Sequence, residues 1–236
     1  MKTITDQNSV AGTPADKDFS GRRIAADKLR LLGVRLLSAA GMSHDDATLV
    51  SDHVVVNSLM GVDSHGVVRF SQYMSLIESG AIDPAGTPLL VIDDPGMVRI
   101  DGRGGHGVPA MVQLAECTAQ KARTAGMATG ALVNCGHTGR IGAYAEMIAR
   151  QGCFAVIIGG GGHTRGNPKV APYGGREGIM GTNPYTLALP GGPTGVVVVD
   201  FATSTSAQGK LLAASKTGEP LPPGTILDRE GRPRID

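Results

Sequence analysis

Apolar residues recur at helical spacing in three successive stretches near the start of the chain. The first covers residues 24–40, with Leu29, Leu32, Leu36 and Leu37 on one face and Gly41 as its stop. Ser43 then has the character of an N-cap, with Asp45 and Asp46 in the first turn, where the helix dipole favours acids. That predicts a second helix reaching about Leu59. Asp63 or Ser64 caps a third, whose apolar face is Phe70, Tyr73, Met74 and Ile77, and Gly80 ends it.

After a Pro- and Gly-marked break at residues 84–88 the pattern changes. It predicts strands at 89–92 and 97–101, a helix at 108–124, a strand at 128–134, a helix at 140–151 and a strand at 153–158. The helix at 108–124 presents Val108, Met111, Val112, Ala115, Ala119 and Ala122 on one side. This is a βαβαβ rhythm. Beyond a glycine-rich stretch, apolar runs at 185–189 and 196–200 flank Gly191-Gly192-Pro193-Thr194-Gly195, a hairpin-like connection. The sheet is therefore expected to be mixed. A short helix near 206–215 and a Pro-rich segment follow. The expected division is a flexible tail at 1–21, an N-terminal helical region at 22–87 and an α/β domain at 88–236.

Charge narrows the function classes. With 22 basic against 21 acidic residues there is no electrostatic case for nucleic acid or an anionic membrane. Four Phe, four Tyr and no Trp leave few stacking platforms for bases and require an aliphatic core. The 35 glycines, roughly twice the usual share, call for tight turns or close backbone approach to a ligand. Cys117, Cys135 and Cys153 are odd in number and widely spaced, which fits a reducing compartment better than a disulfide framework. No secretory leader, membrane span or metal-ligand spacing is read.

Four constellations could carry chemistry. In Asp63-Ser64-His65-Gly66-Val67-Val68-Arg69 the histidine and arginine are four apart, so a helix would put them on one face beside a hydroxyl and a positive helix end. That suits a carboxylate, although a plain N-cap with solvated side chains would use the same residues. Asn134-Cys135-Gly136-His137-Thr138-Gly139-Arg140 follows a strand, at the edge where α/β sheets bind ligands, and His137 is a reasonable acid–base group there; a loop histidine bonded to backbone is the bland alternative. Gly102-Arg103-Gly104-Gly105-His106-Gly107 is a literal GxGxxG, but Asn134 and Cys135 stand where a Rossmann acid would. A tight turn explains it equally. The run from Gly159 to Gly162, continuing through His163 and Arg165, could hold a phosphate or be a plain surface loop.

The series Asp-Ser-His-Gly-Val-Val-Arg at 63–69, Asn-Cys-Gly-His-Thr-Gly at 134–139, Ala-Pro-Tyr-Gly-Gly at 171–175, Gly-Thr-Asn-Pro at 181–184 and Asp-Phe-Ala-Thr-Ser at 200–204 resembles the malate/L-lactate dehydrogenase family. The likeness extends through Gln208-Gly209-Lys210 to Leu227-Asp228-Arg229-Glu230-Gly231-Arg232-Pro233. It implies an α/β fold with an N-terminal helical segment and a mixed-sheet, non-Rossmann NAD(P)-binding domain. It implies interconversion of a small 2-hydroxy acid and its 2-oxo acid with NAD or NADP, in a cytoplasmic homodimer. His65 and His137 match positions assigned as proton donor in different members, and Arg69 and Ser64 match contacts to the substrate carboxylate. Gly161, Thr182, Asn183, Asp200, Phe201 and Ala202 match cofactor contacts. Family members run roughly a hundred residues longer, so the resemblance also raises the expectation of a missing C-terminal third, and with it an inactive dinucleotide- or anion-binding remnant as the alternative. It demotes the GxGxxG loop, because the family does not cradle its dinucleotide that way.

Overall fold

The structure, a computed structural model, describes residues 23–160, 170–206, 211, 214–215 and 218–234. The expected tail at 1–21 and most of the expected helix near 206–215 lie outside the described residues. Three helices come first: α1 (Ala26–Ala39), α2 (His44–Leu59) and α3 (Arg69–Glu78). The Ser43 hydroxyl caps α2 by accepting from the Asp46 N–H at 3.2 Å. Leu37, Val50, Val54, Phe70 and Tyr73 form the core between these helices. Of the expected leucine row of α1, Leu37 is buried and Leu29 packs on the core, Leu36 is half-buried and Leu32 is 49% exposed. The buried stripe runs through Gly33 and Leu37, and Gly33 is needed because a Cβ there would run into the Phe70 ring.

The third helix also starts later than its polar signal. Asp63–His65 is a separate 3-10 turn, Gly66 breaks it, and α3 begins only at Arg69. His65 and Arg69 therefore do not share a helix face, which corrects the expected i,i+4 relation. Gly66 must be small because it packs on Ser58, whose hydroxyl accepts the Val67 N–H at 2.9 Å.

The α/β part follows the expected order: β1 (Leu89–Asp94), β2 (Met97–Asp101), α4 (Gly107–Ala125), β3 (Thr129–Val133), α5 (Gly142–Arg150), β4 (Ala155–Ile158), β5 (Pro184–Leu189), β6 (Val197–Ala202) and the short β7 (Ile226–Leu227) and β8 (Pro233–Arg234). The expected mixed sheet is present in β1–β2–β3, while the other described strands form separate antiparallel sheets. β1 pairs antiparallel with β2, which pairs parallel with β3 across the α4 crossover. β4, β5 and β6 pair antiparallel, with a 3-10 turn at Gly192–Thr194 in the hairpin connection. The rhythm failed to separate these because α5 can lie between two sheets as readily as cross one. On one side α5 contributes Tyr144 to a core with Val98, Ile100 and Met111. On the other, Ala145 and Ala149 admit the close approach of Ala155 and Ala188.

The face of β4–β6 away from this small-residue core carries Val156, Ile158, Leu189, Val197, Val199 and Phe201, all among the exposed apolar side chains. No helix among the described residues is long and apolar enough to cross a membrane.

The GxGxxG loop is a packed turn. Gly102 sits against Cys135, Gly105 against the Gly86 backbone and Gly107 against the carbonyls of Gly136 and His137. Beside Gly104, whose φ is 75°, the space is open, so the turn is packed on its inner side alone. His106 caps α4 through Nδ1, which accepts the Val108 N–H at 3.2 Å.

Candidate active site

Packing of α2, α3, the start of α4 and the loop after β3 brings together four of the six histidines: His106 and His137 meet Tyr73, His65 stacks on His137, and His53 stacks on Tyr144. His65 and His137 stack with centroids 5.7 Å apart and planes 19° from parallel. Nδ1 of His137 accepts the Gly139 N–H at 3.2 Å and lies 2.9 Å from the Tyr73 hydroxyl. A nitrogen that accepts an amide hydrogen carries a lone pair, so Tyr73 donates and the neutral ring keeps its hydrogen on Nε2. The Ser64 hydroxyl lies 3.0 Å from Nδ1 of His65.

Arg69 completes this group. Its Nε donates to the Ser64 carbonyl at 2.6 Å and its guanidinium also binds Gln72. The side chain is buried, yet among the described residues no carboxylate pairs with it. A buried cation without a counter-ion is costly.

Around this centre the loops are clamped by α2. Asn57, 1% exposed, donates to the His65 carbonyl at 3.2 Å and accepts from Nε of Arg140 at 2.8 Å. Nε2 of His53 accepts the Arg140 N–H at 3.0 Å, and its ring stacks on Tyr144. The Tyr144 hydroxyl donates to the Thr138 carbonyl at 2.5 Å. None of these clamps was singled out from the sequence. The one available signal was His53 and Asn57 at i,i+4 on a helix whose other buried positions are mostly aliphatic.

Burial dominates the electrostatics. It lowers the pKa of His53 and of His65 to about 4 and that of His106 to about 3. His137 is pushed well below its ordinary value, by burial first and by Arg69 next. Arg69 is likewise the leading charge acting on His65. Burial raises the phenol of Tyr73, which stays protonated and able to donate.

Of the residues matched to cofactor contacts, Thr182 and Asn183 immediately precede β5, and Asp200, Phe201 and Ala202 end β6. Gly161 falls outside the described residues. Asn183 has a left-handed backbone with φ 44°, and its carbonyl accepts from the Thr203 hydroxyl at 2.8 Å; the Thr182 carbonyl takes the same hydroxyl at 3.4 Å. Ala202 pairs with Pro184, and the half-exposed Phe201 ring rests on Tyr185 with centroids 5.8 Å apart. A cleft of about 270 Å³ opens beside them, lined by Pro172, Tyr173, Gly181, Thr203, Ser204 and Thr205. Hydroxyls and an exposed aromatic pair fit the ribose and ring chemistry of a dinucleotide. The Asp200 carboxylate is already engaged, accepting the Gly142 N–H at 3.1 Å and the Thr186 hydroxyl at 2.5 Å. It ties the start of α5 to the sheet. A larger hollow of about 440 Å³, beside Leu90, Asp93 and Lys121, is lined by none of the four histidines.

Comparison with known proteins identifies the family. The family model described as malate/L-lactate dehydrogenase matches residues 24–236. A malate dehydrogenase of Pyrococcus abyssi is 35% identical over 211 residues, covering 89% of this chain and 56% of its own. A (2R)-3-sulfolactate dehydrogenase (NADP(+)) of Chromohalobacter salexigens is 32% identical over 215 residues, covering 91% and 63%. The solved delta1-piperideine-2-carboxylate reductase of Pseudomonas syringae superposes with a TM-score of 0.83 at 28% identity, covering 91% of this chain and 63% of its own. The chain thus spans about three fifths of the length of such relatives.

Proposed function

This chain belongs to the malate/L-lactate dehydrogenase family, and from that premise we propose that the protein interconverts a small 2-hydroxy acid and its 2-oxo acid by hydride transfer with NAD or NADP. The observation that carries the reading is the buried Arg69, without a carboxylate partner among the described residues, beside the stacked His65 and His137. The relatives named above are called after malate, sulfolactate and piperideine-2-carboxylate. All three carry a carboxylate on the reacting carbon.

Arg69 and Ser64 hold that carboxylate, a charge-assisted contact in a site shielded from water. His137, whose Nδ1 is held by Tyr73 and Gly139 and whose Nε2 is left for the substrate oxygen, or His65 stacked on it, exchanges the hydroxyl proton: the imidazolium gives a proton to the forming alkoxide and returns to the neutral ring, and the reverse step recharges it. Thr182, Asn183, Phe201 and Ala202, with Gly161 by the family resemblance, would hold NAD or NADP, which would supply or accept the hydride. Asp200 acts from behind by fixing α5 against β6. Without a ligand, burial and Arg69 keep both imidazoles neutral. A bound carboxylate compensates Arg69, so the histidines gain proton affinity as the substrate arrives. The family resemblance also carries a homodimer and a cytoplasmic location in this reading.

The test is NADH and NADPH oxidation over a panel of 2-oxo acids, with Arg69→Met beside the parent chain. Loss of a buried cation's contact, about 3 kcal/mol or more, predicts at least a ~10²-fold fall in kcat/KM with nicotinamide binding retained. Equal loss of turnover and nicotinamide binding overturns the role of Arg69. Nicotinamide binding without turnover across the panel supports a dinucleotide-binding chain instead.

A further inference from the structure

His106 belongs to the loop at the start of α4, not to either histidine-bearing motif of the site. It is 4% exposed, and it uses Nδ1 as the N-cap acceptor for the Val108 N–H. The neutral ring therefore carries its hydrogen on Nε2. That Nε2 is buried and has no hydrogen-bond partner. A plain cap does not need an imidazole: Asn, Asp or Ser fill the position with less bulk and leave no orphaned nitrogen. The orphan is explained by what the ring does next. It meets the Tyr73 ring edge-to-face, with centroids 4.4 Å apart and planes 85° apart. Tyr73 is itself fully buried, and its hydroxyl is the group on Nδ1 of His137. The α4 start is in turn locked to the His137 loop, since the Gly136 N–H donates to the Gly105 carbonyl at 2.8 Å and Gly107 packs on the Gly136 and His137 carbonyls.

We propose that His106 is a positioning residue: its ring holds the Tyr73 side chain so that the hydroxyl donates to Nδ1 of His137 and keeps the hydrogen of that histidine on Nε2. The edge-to-face contact removes the rotational freedom of a phenol whose only directed bond is to His137. Burial keeps His106 uncharged, so it orients Tyr73 without repelling a proton on His137. This rests on the reading of His137 as the acid–base group for its functional meaning, but its structural content is measurable without turnover.

The experiment is long-range ¹⁵N–¹H spectroscopy of the His137 ring in the 236-residue chain. Three variants accompany it. His106→Asn keeps an N-cap acceptor and removes the ring. His106→Phe keeps a ring against Tyr73 and removes the cap. Tyr73→Phe keeps the contact and removes the hydroxyl. The expected result is a parent Nδ1 signal typical of an unprotonated acceptor. That signal shifts, with one of its two donors gone and the Gly139 N–H remaining, in His106→Asn and in Tyr73→Phe, and it is preserved in His106→Phe despite its lower Tm. Where turnover is measurable, His106→Asn lowers kcat/KM roughly tenfold, a fraction of the full contribution of a positioned acid–base group. An unchanged His137 signature in His106→Asn shows that His106 merely caps α4 and overturns the proposal. So does loss of the signature in His106→Phe. Failure of dehydrogenase activity with the spectroscopic pattern intact would count against the functional reading alone.

Discussion

His65 and His137 stack face to face at 5.7 Å, so neither ring can take up a proton without the other feeling it. Burial first and Arg69 next depress the charging of both, and His65 adds to the effect on His137. The pair will titrate as a unit. In the absence of a ligand it is neutral at physiological pH, a state suited to receiving an anion beside Arg69 and not yet suited to giving a proton away.

Binding should therefore be linked to protons. A 2-oxo acid analogue such as oxamate or oxalate, placed on Arg69, is expected to raise the proton affinity of the stacked pair and to draw protons from the buffer. Calorimetric titration in two buffers of different ionisation enthalpy reads this directly. Binding heats that do not depend on the buffer would show that Arg69 and the histidines are not coupled through the ligand.

Acid should unfold the chain early. His53, His65 and His106 have folded-state pKa values of about 4, 4 and 3, against 6.5 for an unperturbed imidazole. A depressed histidine binds fewer protons when folded, so its stabilising effect is complete above about pH 6.5 and is lost as the pH falls through 6.5 toward 4. Thermal melts should show Tm dropping steeply over that window. A flat profile down to pH 4.5 would contradict the burial of these rings.

Asn57 is a site residue that touches no substrate in this reading. Replacing it with Ala removes bonds to the His65 carbonyl and the Arg140 guanidinium. Such loss around a charged partner costs about 2–3 kcal/mol. Denaturant titration should show a lower midpoint at unchanged slope.

Gly139 holds a left-handed backbone, φ 70°, with its Cα pressed toward the His53 ring. Gly139→Ala is expected to destabilise by about 2 kcal/mol, from the backbone conformation and the steric conflict together. It should also shift the His53 ring resonances, and an unperturbed His53 would argue against the close approach.

Helix and strand positions were largely legible because local periodicity sets them. The five long helices and six main strands fall within a few residues of the pattern. The motifs bearing His65, Arg69 and His137 were legible as islands. Their convergence was not, because it depends on how α2, α3 and the loop after β3 pack, and packing leaves no short-range spacing in the chain. Tyr73 read as one more apolar position of α3, and burial does put its ring there, while its hydroxyl reaches His137. His106 was hidden inside a glycine motif that drew attention to phosphate chemistry. The split into separate sheets was invisible for a related reason: strand order is decided by pairing, and β3 and β4 carry no mark of which neighbour each will choose.

The second half of α2 gives the site a lifetime. His53, Asn57 and Ser58 lie within two turns, and each holds a different backbone point of the loops bearing His65, His137 and Arg140. A brief fraying of that one helix end would release all three anchors together. The amide hydrogen-exchange rate of residues 53–59 should then equal the rate at which the two histidine loops come apart, making the constellation a single cooperative unit.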